Sequence, residues 1–273
     1  MTRAIDCLVN VDFADWDMPE WMTRVKEDYF KGGDSFFRSP ELPELLDDMD
    51  ANGVERAILM TNVGATESRA LRFVEERPDR FALAVGGHNL LRPMKALREL
   101  SAFVAAHPVV CTTVGPSFWG DGMYPPSDAV YYPLYVKCCE LDLPLCMNMG
   151  IPGPPLPAEP QNPIHLDRVC LRFPELKLCM IHGADPWWDT AIRLMIKYRN
   201  LRLMTSAWSP KYLPESLLHY MRTRGKDRIL FASDHPVLSM ERCLGEAAAL
   251  DLSDEVRDGW LYGNASAFFF GAT

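Results

Sequence analysis

The chain has 273 residues, 48% of them hydrophobic and 24% charged, with a formal net charge of −9. That balance supplies a sizeable core and no disorder signature, and the acidic excess excludes nucleic acid and anionic membrane surfaces as natural partners, since both require a basic face. No run of about 18 apolar residues is present to span a bilayer, and the apolar part of MTRAIDCLVNV is too short for a secretory signal, so a cytoplasmic protein is expected.

In chain order, short apolar or β-branched runs alternate with helical patterns, as parallel βα units require. The predicted strands are 4–11, 54–60, 81–87, 109–115, 143–150, 176–183, 201–207 and 228–234. Between them lie helical patterns at 39–53, with Ser39 as cap, Pro40 in the first turn and Gly53 as stop, and at 91–107, 128–142, 161–173, 185–199 and 212–225. Eight such units predict a single α/β domain over 1–273, a closed (β/α)8 TIM barrel. The Pro-rich stretch GIPGPPLPAEPQNP at 150–163 reads as a loop shaping the barrel mouth. The eight cysteines form no CxxC pair and sit in apolar runs, which reads as reduced core thiols. Strand alternation turns Cys7 away from the lumen if Leu8 and Asn10 point in.

Chemistry in a parallel barrel collects at the C-terminal strand ends. Those ends carry Asn10 and Asp12, His88 and Asn89, Asn148, His182 and Asp185, Ser206, and Asp234 and His235. Taken singly, each has a structural reading: Asn148 as a loop-backbone partner, Asp185 as a helix cap, His88 as a satisfied buried imidazole. His182 and Asp234 stand apart, because they come from separate strands and converge on one mouth, where an imidazole and a carboxylate serve as acid and base. Aromatic residues just past the strand ends, among them Phe13, Trp16, Trp119, Trp187, Trp188 and Trp208, predict an apolar wall suited to a flat ring.

The ordered segments LLDDMDANGVERAIL, LDLPLCMNMG, FPELKLCMIHG, TSAW, DRILFASDHP and YGNASAFF, together with Ile5 and Asp6, resemble the amidohydrolase-related superfamily over nearly the whole chain. The similarity is to its amidohydrolase 2 branch, which includes aminocarboxymuconate-semialdehyde decarboxylase and related aromatic-acid decarboxylases and hydratases. That pattern has His-x-His after strand one, a His after strand five, a His after strand six and an Asp after strand eight. Here the positions read Leu8 and Asn10, Asn148, His182 and Asp234. Leu8 has no lone pair and the two asparagines offer only neutral amide oxygens, poor substitutes for imidazole around a metal.

The resemblance therefore implies a hydrolase or lyase without a resident cofactor, acting on a small ring-containing carboxylate or lactone. Asp234 would be the base and His182 the acid or oxyanion stabiliser, and Asn10, His88, Trp119, Asn148, Trp187, Trp208 and His235 would bind substrate. One alternative is a non-catalytic ligand-binding barrel or the partner subunit of an active relative. A third reading keeps a weakly bound divalent metal on Asp234, His182 and His88. The expected partner is an apolar or aromatic small molecule, and a homo-oligomer is compatible with the fold.

Overall fold

The computed structural model describes residues 3–13, 20–33, 36–118 and 123–271. Trp16 and Trp119 lie outside them. Eight strands form one parallel sheet in the order of the chain: β1 Ala4–Val9, β2 Val54–Asn62, β3 Phe81–Gly86, β4 Val109–Val114, β5 Leu145–Asn148, β6 Leu178–Ile181, β7 Leu201–Met204 and β8 Ile229–Leu230. Backbone bonds from Cys7 to Phe231 (3.2 Å) and from Asn10 to His235 (2.8 Å) join β1 to the segment following β8, so the sheet curls into the predicted (β/α)8 barrel. The outer helices are α1 Glu20–Arg24, α2 Leu42–Asn52, α3 Arg69–Glu76, α4 Pro93–Ala106, α5 Tyr132–Glu140, α6 Leu166–Arg172, α7 Trp188–Lys197, α8 Glu215–Arg222 and α9 Met240–Ala248. A last pair, α10 Asp254–Asp258 and α11 Asn264–Phe270, runs on through the wide turn Gly259–Gly263.

The predicted start of the first long helix shifts. Glu41, not Ser39, caps α2, through a reciprocal capping box with Glu44. Ser39 instead accepts a bond from the Phe13 amide at 2.7 Å, tying the segment before α2 to the end of β1. Gly53 does end α2, with φ +71°, as the sequence requires.

The larger apolar core fills the layer between strands and helices, and a smaller one fills the lumen. The lumen holds Ile5, Cys7, Leu8, Ile58, Ala84, Cys111, Cys146, Cys179, Met204 and Leu230. Cys7 thus contradicts the alternation argument, since it shares the lumen with Leu8. The cause is a register shift against β2 between Asp6 and Val9. An irregularity of this bulge type lets neighbouring residues face one side and resets the phase of the strand, so that Val9 returns to the outer core while Asn10 turns inward.

Asp6 is fully buried on the other face of β1 and clamps the closing seam. It accepts from the Ser233 amide (3.0 Å), the Leu8 amide (3.3 Å) and the Ser233 hydroxyl. Ser233 Oγ also accepts from the His235 amide at 2.9 Å, so Asp6 fixes the turn that presents Asp234. Burial pushes the Asp6 carboxyl up to about 6, against the pull of these donors.

Candidate active site

Asn10, Asn148, His182 and Asp234 stand half-buried at the C-terminal ends of β1, β5, β6 and β8. His182, Ala207 and Asp234 have φ of +65°, +61° and +64°, a region that non-glycine residues enter at a cost. Three such residues at consecutive strand ends mark a mouth where the surrounding packing imposes backbone strain, the usual setting of a functional site. Gly183 follows at φ +68°, and a Cβ there would collide with the Trp188 ring.

The two ionisable groups are organised as separate dyads, and no hydrogen bond or ion pair among the described residues joins them. On one side, Asn10 Nδ2 donates to Asp234 Oδ1 at 2.9 Å and to the His235 carbonyl at 3.3 Å, which leaves Asp234 Oδ2 without a partner among the described residues. On the other, His182 Nδ1 lies 3.0 Å from Ser206 Oγ, which also accepts from the His182 amide at 3.0 Å. Trp208 Nε1 donates to the His182 carbonyl at 2.9 Å, so the ring and the backbone of His182 are both anchored from the end of β7.

Burial without a compensating opposite charge sets the proton states. Desolvation, only partly offset by the Asn10 bond and reinforced by the Asp6 charge, pushes the Asp234 carboxyl up to about 8. Desolvation likewise pulls the His182 imidazole down to about 4. Both shifts favour the uncharged forms of carboxyl and imidazole at neutral pH.

His88 is 1% exposed, wedged between β3 and β4. Thr112 donates its single O–H to the Val85 carbonyl (2.8 Å), so it accepts from His88 Nε2 (2.6 Å), which reads as a structural bridge. The His235 ring turns toward Asp48 of α2, 3.8 Å away; its carbonyl, not its ring, meets Asn10. Asn148 sits beside Gly115, whose added Cβ would lie 3.3 Å from its amide nitrogen. Trp208 packs edge-on against Trp188 with ring centroids 5.3 Å apart, and Trp188 Nε1 reaches Asp185 Oδ1 at 3.2 Å. Trp188 is thus tied to the His182 side, while Trp187 is half-buried beside it. Trp119 lies outside the described residues. Sequence reasoning missed Ser206 as the imidazole's partner and Asp6 as the anchor of the β8 turn, although both stand at positions it had singled out.

The family model described as "Amidohydrolase" matches residues 5–271. The chain belongs to the amidohydrolase family. An uncharacterised TIM-barrel protein of Bordetella bronchiseptica is similar at 21% identity and TM-score 0.81, covering 97% of this chain and 98% of that one. A 2,6-dihydroxybenzoate decarboxylase from Rhizobium superposes with TM-score 0.72 at 19% identity over 99% of both chains. A dihydroxybenzoic acid decarboxylase from Polaromonas, solved with bound manganese and the inhibitor 2-nitroresorcinol, superposes with TM-score 0.71 at 19% identity over 99% of this chain and 97% of its own. No curated protein sequence matches. Among the described residues no helix of this amidohydrolase is long and apolar enough to cross a membrane.

The manganese corrects the expectation of no cofactor, because it points to a metal cofactor in this family. The residues at this mouth do not form an ordinary cradle for one. Among the described residues no group of three His, Cys, Asp or Glu side chains is placed to hold a metal ion, so the trio of Asp234, His182 and His88 is not assembled. Asn10 moreover turns its NH₂, a donor, toward Asp234.

Proposed function

We propose that this amidohydrolase is a lyase that decarboxylates a small aromatic carboxylate. The observation that carries the reading is the pair of half-buried groups, His182 and Asp234, held in left-handed backbone at one mouth and supported separately by Ser206 and Asn10. The decarboxylases among the similar structures give the same barrel a ring carboxylate to act on.

Removing a carboxylate from a ring requires a proton at the carbon that loses it. Asp234, with its carboxyl pushed up to about 8, is suited to supply that proton. As the bond to the carboxylate breaks, its electron pair stays with the ring carbon that takes the proton. CO₂ departs, Asp234 is left ionised, and water returns the proton. His182, neutral at the same pH, offers its Nε2 to a ring hydroxyl. These proton states favour roles opposite to those read from sequence, where Asp234 was the base. A water-activating base would need an ionised carboxylate, so the site suits lyase chemistry better than hydrolysis. Asn148 and Trp208 are assigned to the substrate wall.

The test is a panel of hydroxybenzoates incubated with the wild-type chain and with Asp234→Asn, with and without added Mn²⁺, followed by chromatography of the ring products. Decarboxylated product from the wild type and its loss in a folded Asp234→Asn variant is the expected result. Equal turnover by the two would remove Asp234 from the reaction. The replacement of imidazoles by Leu8 and Asn10 favours a second reading, a ligand-binding barrel. Binding of 2,6-dihydroxybenzoate without transformation would support it.

A further inference from the structure

The end of the barrel opposite the mouth carries a different chemistry. Ile5 and Cys7 line the lumen, and Arg3 lies with Ile5 on the cavity at the lumen floor. Ile58 lines the lumen from β2, which places Arg56 on that floor as well, in register with Ile5. Arg202 enters in the same way from β7, two residues before Met204. Helix α11 closes the floor, its Ala265 and Phe269 completing the lumen core. Three guanidiniums stack on rings of this segment: Arg3 on Tyr262 at 3.9 Å, Arg56 on Phe270 at 4.5 Å and Arg202 on Phe268 at 5.8 Å.

A clamp that only fastens a helix has its donors satisfied by protein, and Arg202 fits that description. It donates to the carbonyls of Arg199 (2.8 Å) and Leu201 (3.3 Å) and lies 4.0 Å from Asp227. Arg80 is similarly occupied by Asp50 and by the carbonyls of Val54 and Glu55. Arg3 and Arg56 differ. Among the described residues Arg3 makes no hydrogen bond, and Arg56 makes one, to the Asp79 carbonyl at 3.3 Å.

Both line a cavity of about 790 Å³ together with Arg80, Tyr262, Ser266 and Phe270. Of the carboxylates on its rim, Asp50 is taken by Arg80 (2.7 Å) and Asp79 by Arg77 (2.7 Å), leaving Glu55 against two uncompensated guanidiniums. Seating over the Tyr262 and Phe270 rings positions the two arginines without using their N–H groups, which suits recognition of an oxyanion.

We propose that this floor cavity binds a multivalent oxyanion, a phosphate or polycarboxylate held by Arg3 and Arg56, independently of the chemistry at the mouth. The experiment is isothermal titration of the full chain with pyrophosphate and with citrate, at constant ionic strength in an amine buffer. The wild type is expected to bind one anion per chain, and Arg3→Gln/Arg56→Gln to weaken binding about tenfold or more through loss of two charge-assisted contacts. Arg202→Gln serves as the clamp control and leaves affinity within about twofold, as an additive, separate contact does. Arg3→Gln alone, at an exposed position, gives a second variant that stays folded, and it should also weaken binding. Preference for pyrophosphate assigns the site to phosphoesters, and preference for citrate assigns it to carboxylates. No binding by the wild type, or equal affinity in the double variant, overturns the proposal.

Discussion

The two ends of this barrel treat charge in opposite ways. At the mouth, Asp234 and His182 are half-buried with neutral partners, Asn10 and Ser206, and both are driven toward their uncharged forms. At the floor, guanidiniums sit over the rings of Tyr262, Phe268 and Phe270. Three consecutive strand ends at the mouth, at His182, Ala207 and Asp234, hold left-handed backbone. The difference teaches that burial without counter-charge poises groups for proton transfer, whereas aromatic stacking preserves permanent charge for binding or fastening.

The sharpest way to break this contrast is substitution at each end. Asp234→Asn or His182→Gln should lower turnover of the cognate aromatic acid by about 10²- to 10⁴-fold, the usual worth of a positioned proton-transfer group. Arg3→Gln, assayed alongside, should leave turnover within experimental error. A floor variant as damaging as a mouth variant would erase the division.

The three replaced family positions can be restored. Leu8→His/Asn10→His/Asn148→His supplies imidazole where this chain has none, and Mn²⁺ affinity measured by calorimetry should rise about 10- to 100-fold over the wild type, the scale of ligand-environment effects. An unchanged affinity would mean that these strand ends do not converge on one ion.

Much of the barrel was legible, because each strand is a short apolar run and each parallel crossover needs a helix. Gly53 announced the end of α2 for a local reason, the left-handed turn it alone enters easily. What failed depended on distant partners. The inward turn of Cys7 follows from an irregularity of pairing against β2, and alternation within β1 carries no trace of it. Ser206 as the partner of His182, and Trp188 packed on the edge of Trp208, depend on how two strand ends meet, 24 and 20 residues apart in the chain. His88 and His235 sat at the expected strand ends, yet Thr112 and Asp48 decide where their rings point.

The seam that holds the mouth gives a smaller, structural effect. Asp6→Asn cannot accept all three of the bonds from Ser233 and Leu8 and should cost about 2 kcal/mol in urea unfolding, as expected when buried donors lose a charged acceptor. Asp50→Asn, on the exposed rim of the floor, should cost about 0.5 kcal/mol or less. Equal losses would deny the seam its special role.

Smaller still is the dependence of stability on pH. Asp6 and Asp234 are raised in the fold, so their contributions are complete below the ordinary aspartate range and are lost as pH rises through about 6 and about 8. His182 is lowered, so its contribution is present above 6.5 and is lost as pH falls through about 4. Above pH 6.5 only the carboxylates remain in play, and the melting temperature should decline between pH 6.5 and 9 by a few degrees, with a shallower decline in Asp234→Asn. A melting temperature that climbs over that window, or an identical slope in the variant, would contradict the burial argument.

The proton on Asp234 decides between acid and base at the mouth, and carbon-13 NMR of aspartate-labelled protein reads it directly. Comparison with Asp234→Asn assigns the resonance. A carboxyl signal that titrates near pH 8 and is protonated at pH 6.5 is expected. A signal already ionised at pH 5 would contradict it.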